Sequence, residues 1–280
     1  MAHARAAEQP AEVPAWSLPA AARERISLPA TWPERVTREW ALGESTGKGV
    51  RVCVLDSGVD ADHPLVGELE GAVVVTVGED GATEVVEDTQ GDVSGHGTAC
   101  SGILRTLAPD CRLFSVRVLG AGAIGSGPVL LAGLRWAVES GFDIVNMSLS
   151  TTKRDFAPTL HDLADQAYFR RTMLVASAHN MPVESYPWRF ASVLSVGSHG
   201  GTDPLEYYYN PDPPVEFFAR GLDIEVAWAG GGTVRSSGNS FATPHLAGIC
   251  ALVLAKHPEL TPFQLKSVLY LTAANVGDAA

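Results

Sequence analysis

Three reactive side chains stand among small residues in this 280-residue chain. Asp56 lies in Val54-Leu55-Asp56-Ser57-Gly58, His96 in Ser94-Gly95-His96-Gly97-Thr98-Ala99, and Ser240 in Gly238-Asn239-Ser240-Phe241-Ala242-Thr243-Pro244-His245. A serine hydroxyl is a weak nucleophile at neutral pH. An imidazole within hydrogen-bond reach takes its proton and later hands it to a leaving amine. A buried carboxylate behind the ring fixes the tautomer and stabilises the imidazolium. These three types are the working parts of acyl transfer through a covalent intermediate. Singly each has a plainer use: Asp56 as a turn or cap residue, His96 as a satisfied polar group in a loop, Ser240 as a helix cap. The chemistry requires that all three converge.

The elements that must bring them together are legible in the apolar pattern. Residues 50–55 are nearly all apolar, the profile of a strand buried on both faces, and they end at Asp56. Further strand-like runs cover residues 113–119, 143–149, 173–178 and 192–197. Helical stretches lie between them. A short one over residues 36–42 precedes the first strand, and others span residues 98–107, 128–140 and 155–170. Leu130, Leu131, Leu134, Ala137 and Val138 form an apolar stripe at helical spacing. Residues 240–256 form a long, strongly apolar helix, and the last helix starts at Thr261-Pro262-Phe263-Gln264, a capping box with proline at the first helical position. Alternating strands and helices predict an α/β fold, a mostly parallel twisted sheet with helices on both faces. In such sheets ligands sit beyond the carboxyl ends of the strands. Asp56, the Asn146–Ser150 segment and Asn180 all fall there.

Taken together, the three motif blocks and their order resemble the subtilase family of serine peptidases. The order Asp, His, Ser is that of subtilisin and differs from those of chymotrypsin and the α/β-hydrolases. The resemblance runs from about Trp40 to Ala274. It implies a subtilisin-like three-layer sandwich and a serine endopeptidase with Asp56, His96 and Ser240 as the triad. Ala176-Ser177-Ala178-His179-Asn180 matches the stretch that ends in the family's oxyanion asparagine, so Asn180 is expected to donate its amide to the tetrahedral intermediate. Ser148-Leu149-Ser150-Thr151 matches the strand end that pairs with substrate backbone and walls the first pocket, and Gly125-Ser126-Gly127 matches the opposite edge. An extended peptide would add as a strand between them. Ser185, in Ser185-Tyr186-Pro187, is expected at the floor of the specificity pocket, and His179 at its border.

The chain also departs from the family pattern. Asn239 and Phe241 flank the nucleophile where Thr and Met are common, and His179 and Ser150 stand where Gly is usual. These changes predict a narrower or more polar pocket and a selective enzyme of the peptide- or leader-maturation type. The short chain between Asn180 and Ser185 argues instead for a pocket open on one side. The loop that carries the main calcium site of secreted subtilisins has no counterpart after His96, so no metal or other cofactor is expected. The carboxylates Asp80, Glu84, Glu87, Asp88 and Asp92 read as a solvated acidic loop. Cys100, four residues after His96, reads as a small buried hydrophobe, with sensitivity to thiol-reactive mercurials as its sharper consequence. About 40 residues precede the resemblance, which predicts folding without a cleaved chaperone segment.

Composition sets the remaining bounds. A formal charge of −12 argues against a nucleic-acid partner, and no apolar run has the length of a membrane helix. Cys53, Cys100, Cys111 and Cys250 show no CxxC spacing and read as buried free thiols, which suit a reducing compartment. Pro10, Glu12 and Pro14 interrupt any secretory signal core, so a cytoplasmic protein is expected. Residues 1–30, rich in Ala, Pro and Glu, read as a mobile arm before a catalytic domain over residues 31–280. Two other functions share the same motifs: a subtilase-fold acyl transferase or macrocyclase, and a non-catalytic peptide-binding pseudoprotease.

Overall fold

A computed structural model describes residues 17–18 and 32–276. The chain divides into two compact units, residues 1–33 and 34–280, and the architecture below is that of the second. The arm expected over residues 1–30 lies outside the described residues apart from 17–18.

A short helix α1 (Arg38–Ala41) leads to β1 (Arg51–Asp56), then β2 (Gly71–Val77), β3 (Thr83–Glu87) and α2 (His96–Leu107). β4 (Arg112–Arg117), α3 (Gly127–Glu139), β5 (Ile144–Met147), α4 (Ala157–Phe169), β6 (Met173–Ser177) and β7 (Leu194–His199) follow. The chain closes with β8 (Tyr207–Tyr209), β9 (Phe217–Arg220), β10 (Ile224–Trp228), β11 (Gly232–Ser236), α5 (Asn239–Lys256) and α6 (Pro262–Thr272). Nine strands form one sheet in the order β3-β2-β4-β1-β5-β6-β7-β9-β8. The strands from β2 to β9 in that order run parallel, and β3 and β8 close the two edges antiparallel. β10 and β11 make a separate hairpin.

The sheet is covered on both faces, as expected, and the period-two alternation of β1 shows why. Val52 and Val54 belong to the core cluster that contains Cys100 and Leu104 of α2 and much of α5 and α6. Cys53 and Leu55 belong to the opposite cluster, with Leu130 and Leu134 of α3 and Leu160 and Leu163 of α4. Both faces of β1 are therefore dry, and a strand in that position must read as an unbroken apolar run. Helix α5 is buried from Phe241 to Leu254 without interruption, which explains its lack of a polar face. Thr261 and Gln264 do form the capping box of α6.

Strand order also reverses at β1. The strands that follow it first, β2 and β4, lie on one side, and β5, β6 and β7 on the other. A crevice opens beyond the carboxyl ends at such a switch point. Asp56 is the last residue of β1 and fully buried there.

The acidic-loop reading of residues 80–92 is corrected. Glu84 and Glu87 lie in β3, paired with β2. The Asp88 side chain is inaccessible and takes two hydrogen bonds from the Arg117 guanidinium, at 2.8 and 2.9 Å. Burial works against its charge, yet Arg117 and the amides of Gln90 and Gly91 hold its pKa below the usual carboxylate value. The short, polar-rich pattern of β3, TEVVE, hid this edge strand.

Candidate active site

β1 delivers Asp56 and α2 delivers His96, its first residue. Helix α2 can descend onto the end of β1 because two glycines allow it. Gly95, the cap, has φ +91, a left-handed conformation. A Cβ on Gly97 would lie 2.0 Å from the Gly58 carbonyl oxygen. His96 Nδ1 consequently reaches Asp56 Oδ1 at 2.8 Å and Oδ2 at 3.0 Å. The Ser57 amide donates to Oδ1 as well. Since a carboxylate only accepts, Nδ1 carries the proton of the neutral ring and Nε2 is left as the base. Burial disfavours the charged ring, but the Asp56 carboxylate, its hydrogen bond and the charge of Asp92 together raise the His96 pKa.

Asp92 is a second organiser of this corner. Its Oδ1 accepts from the Ser94 and Gly95 amides and from the Ser57 hydroxyl, and its Oδ2 from the amide and hydroxyl of Thr98. It therefore caps the helix that His96 opens, and it is no solvated loop residue. The Ser57 hydroxyl in turn accepts from the Gly97 amide.

Ser240 is the second residue of α5. Asn239 fixes the start of that helix: its Oδ1 accepts from the Ser198 amide and hydroxyl, and its Nδ2 donates to the carbonyls of Ala178 and His179. The Asn239 amide donates to Asn180 Oδ1 at 3.0 Å. That bond sets the Asn180 side chain with its oxygen engaged and its Nδ2 donor turned toward the Gly238–Ser240 corner, 3.6 Å from where a Gly238 Cβ would sit. His96, Asn180 and Ser240 line one cleft of about 320 Å³. No Ser240 Oγ–His96 Nε2 hydrogen bond is formed among the described residues. Such bonds are long in substrate-free sites and tighten on binding.

The same cleft is walled by Gly125, Ser126 and Gly127 on one side and Ser148, Leu149 and Ser150 on the other, with His179 at the border. Ser126 also caps α3, accepting from the Val129 amide, so that edge is both a helix start and a cleft wall. Ser185 is the exception. It is fully buried, accepts from Trp188 Nε1 at 2.7 Å, and lies off the cleft lining. The matched motifs do not include Val118, Leu119, Ala123 and Leu130, which also line the cleft. Val118 and Leu119 directly follow β4, so the strand-end rule would have found them.

All four cysteines are buried and free. Cys100 does more than fill space: its Sγ lies 3.7 Å from the Ser240 carbonyl oxygen and 3.9 Å from Asp56 Oδ2. Asp56, His96 and Cys100 offer ligand atoms within 4.8 Å of one another. Burial holds the Cys100 thiol protonated, its pKa well above the ordinary value, and Asp56 already holds the ring. This set suits proton handling rather than metal ligation.

Residues 47–280 match the subtilase family, Peptidase S8. The chain is 29% identical over 248 residues to subtilisin DY of Bacillus licheniformis, covering 83% of this chain and 86% of that protein. It is 31% identical over 243 residues to subtilisin Savinase of Lederbergia lenta, covering 83% and 86%. It is 30% identical over 249 residues to subtilisin E of Bacillus subtilis (strain 168), covering 84% of this chain but only 63% of that protein. Among solved structures, a cold-adapted subtilisin-like serine proteinase superposes with TM-score 0.65 at 26% identity, over 83% of this chain and 87% of the other. Sphericase superposes with TM-score 0.68 at 26% identity, over 81% and 84%. The chain belongs to the subtilase family and is a serine-type endopeptidase.

Proposed function

We propose that this enzyme is a selective endopeptidase that cleaves through an acyl-enzyme on Ser240. Ser240 Oγ bonds to the scissile carbonyl carbon while its proton passes to His96 Nε2. The C–N bond breaks and the amine leaves with that proton. Water then attacks the ester carbon, giving a proton to His96; the ester C–O bond breaks, the acid product leaves, and His96 returns the proton to Ser240 Oγ. Asp56 orients the ring, and the Asn180 amide with the Ser240 N–H receives the oxyanion. The observation that carries this reading is the double contact of Asp56 with His96 Nδ1 beneath a cleft that Ser240 and Asn180 line.

The substrate binds as an extended strand between the Gly125–Gly127 and Ser148–Ser150 edges. Ser150, Ser177 and His179 give the cleft polar walls, which supports selective processing of a peptide precursor. Four buried free thiols accord with a cytoplasmic setting. A fluorophosphonate probe, followed by mass analysis of products from a peptide library, tests the whole reading. Wild-type labelling, loss of label in Ser240→Ala, and hydrolysis at a narrow set of sites are expected. No labelling would favour a peptide-binding pseudoprotease, ligated products an acyl transferase, and broad cleavage a digestive enzyme.

A further inference from the structure

Helix α5 carries a flaw at the nucleophile. In an α-helix the carbonyl of residue i accepts from the amide of residue i+4. The partner of the Ser240 carbonyl would be residue 244, which is proline, inside the helix and without an N–H. The carbonyls on either side keep partners: Thr243 Oγ1 donates to Asn239 O, and His245 Nδ1 to Phe241 O, both at 2.9 Å. A buried carbonyl left without a donor is destabilising.

The Ser240 carbonyl is supplied from outside the helix. Ser148 Oγ donates to it at 2.7 Å. Ser148 is itself buried and accepts from Asn146 Nδ2 at 3.1 Å, which orients its hydroxyl. Cys100 Sγ, at 3.7 Å, is a weaker donor that Asp56 also attracts. Ser148 directly follows β5, and β5 pairs with β1, the strand that ends at Asp56. One hydroxyl therefore ties the nucleophile's backbone to the sheet that carries its carboxylate.

Resting on the proposed role of Ser240, we infer that Ser148 is a positioning residue: its hydroxyl replaces the helical hydrogen bond that Pro244 denies to the Ser240 carbonyl and so sets where the nucleophile stands relative to His96. This role differs from substrate pairing, although Ser148 also borders the cleft. Substrate pairing would act on binding, whereas this bond acts on the geometry of attack.

A double-mutant cycle separates the two. Pro244→Ala restores an N–H opposite the Ser240 carbonyl. In the native background Ser148→Ala is expected to lower the thermal midpoint by about 2–4 °C. The loss should be clearly smaller in the Pro244→Ala background, where the new amide takes over. The broken Asn146 contact is common to both arms and cancels. On a peptide substrate, Ser148→Ala is expected to reduce kcat about 10- to 100-fold with KM nearly unchanged. The double variant should recover most of that kcat. Equal midpoint losses in the two backgrounds would overturn the inference, as would a raised KM with kcat intact. If the wild-type enzyme takes no fluorophosphonate label, the Ser240 reading fails, and the midpoint cycle still decides who satisfies the carbonyl.

Discussion

At the scale of single residues, the site works by leaving particular atoms unoccupied. Asp56 engages His96 Nδ1, so Nε2 remains the base. Asn239 engages Asn180 Oδ1, so Nδ2 remains the donor. In the proposed mechanism Asn180 donates to the oxyanion alone, and Asn180→Ala removes that donor. Steady-state kinetics should show kcat reduced about 10²–10³-fold with KM little changed. Asp92 acts at one remove, through its cap and its charge. Asp92→Asn keeps one acceptor oxygen for the Ser94 and Gly95 amides that lead into α2 and removes a negative charge that favours the imidazolium. In the proposed mechanism the neutral ring is the base. The acid limb of the kcat/KM profile should therefore lie above the ordinary histidine value in the wild type and move to lower pH in Asp92→Asn. An unmoved limb would leave Asp92 with a purely architectural role.

At the scale of elements, α5 holds a second titratable group that takes no part in the chemistry. His245 is buried, donates to the Phe241 carbonyl, and has its pKa lowered to about 4, chiefly by burial. The folded state thus excludes a proton that the unfolded chain binds near pH 6.5. Stability from this group is complete above that value and declines as pH falls toward about 4. The loss amounts to about 3 kcal/mol at 1.36 kcal/mol per unit. His245→Asn cannot take up that proton, so its melting midpoint should fall less steeply than the wild type's across this window. Parallel slopes would place the acid sensitivity elsewhere. The strands were read well where both faces are buried, as in β1 and β6, whose runs are apolar throughout. β3, β10 and β11 are half-covered or at an edge, so their patterns are mixed and gave no clear signal.

At the scale of the molecule, the cleft depends on the parallel sheet holding its strand ends level. The Asp88–Arg117 pair joins the loop after β3 to the last residue of β4, next to the cleft residues Val118 and Leu119. The Arg117 side chain is 15% exposed and that of Asp88 is inaccessible. Asp88→Ala would leave a largely buried guanidinium without its carboxylate, which costs about 3–5 kcal/mol. Chemical denaturation should show a loss of that size, with a raised KM as the wall at Val118 and Leu119 loosens. A loss under about 1 kcal/mol would mean the pair behaves as a surface contact.

The chain alone identified the family and with it the class of chemistry. Asp56, His96, Ser240 and Asn180 stand out in the sequence because reactive groups set among small residues, in one order, have few other joint uses. The three-layer fold was legible for a related reason, since strands buried on both faces carry few polar residues. The tertiary structure decided which polar groups are free to act. Ser185 and Asp88 look available in the sequence but are held by Trp188 and Arg117. Asp92 looks like a solvated acid but caps the α2 helix. The bond from Ser148 to the Ser240 carbonyl spans 92 positions. Hydrogen-bond partners so distant in the chain are chosen by packing, and no local pattern records them.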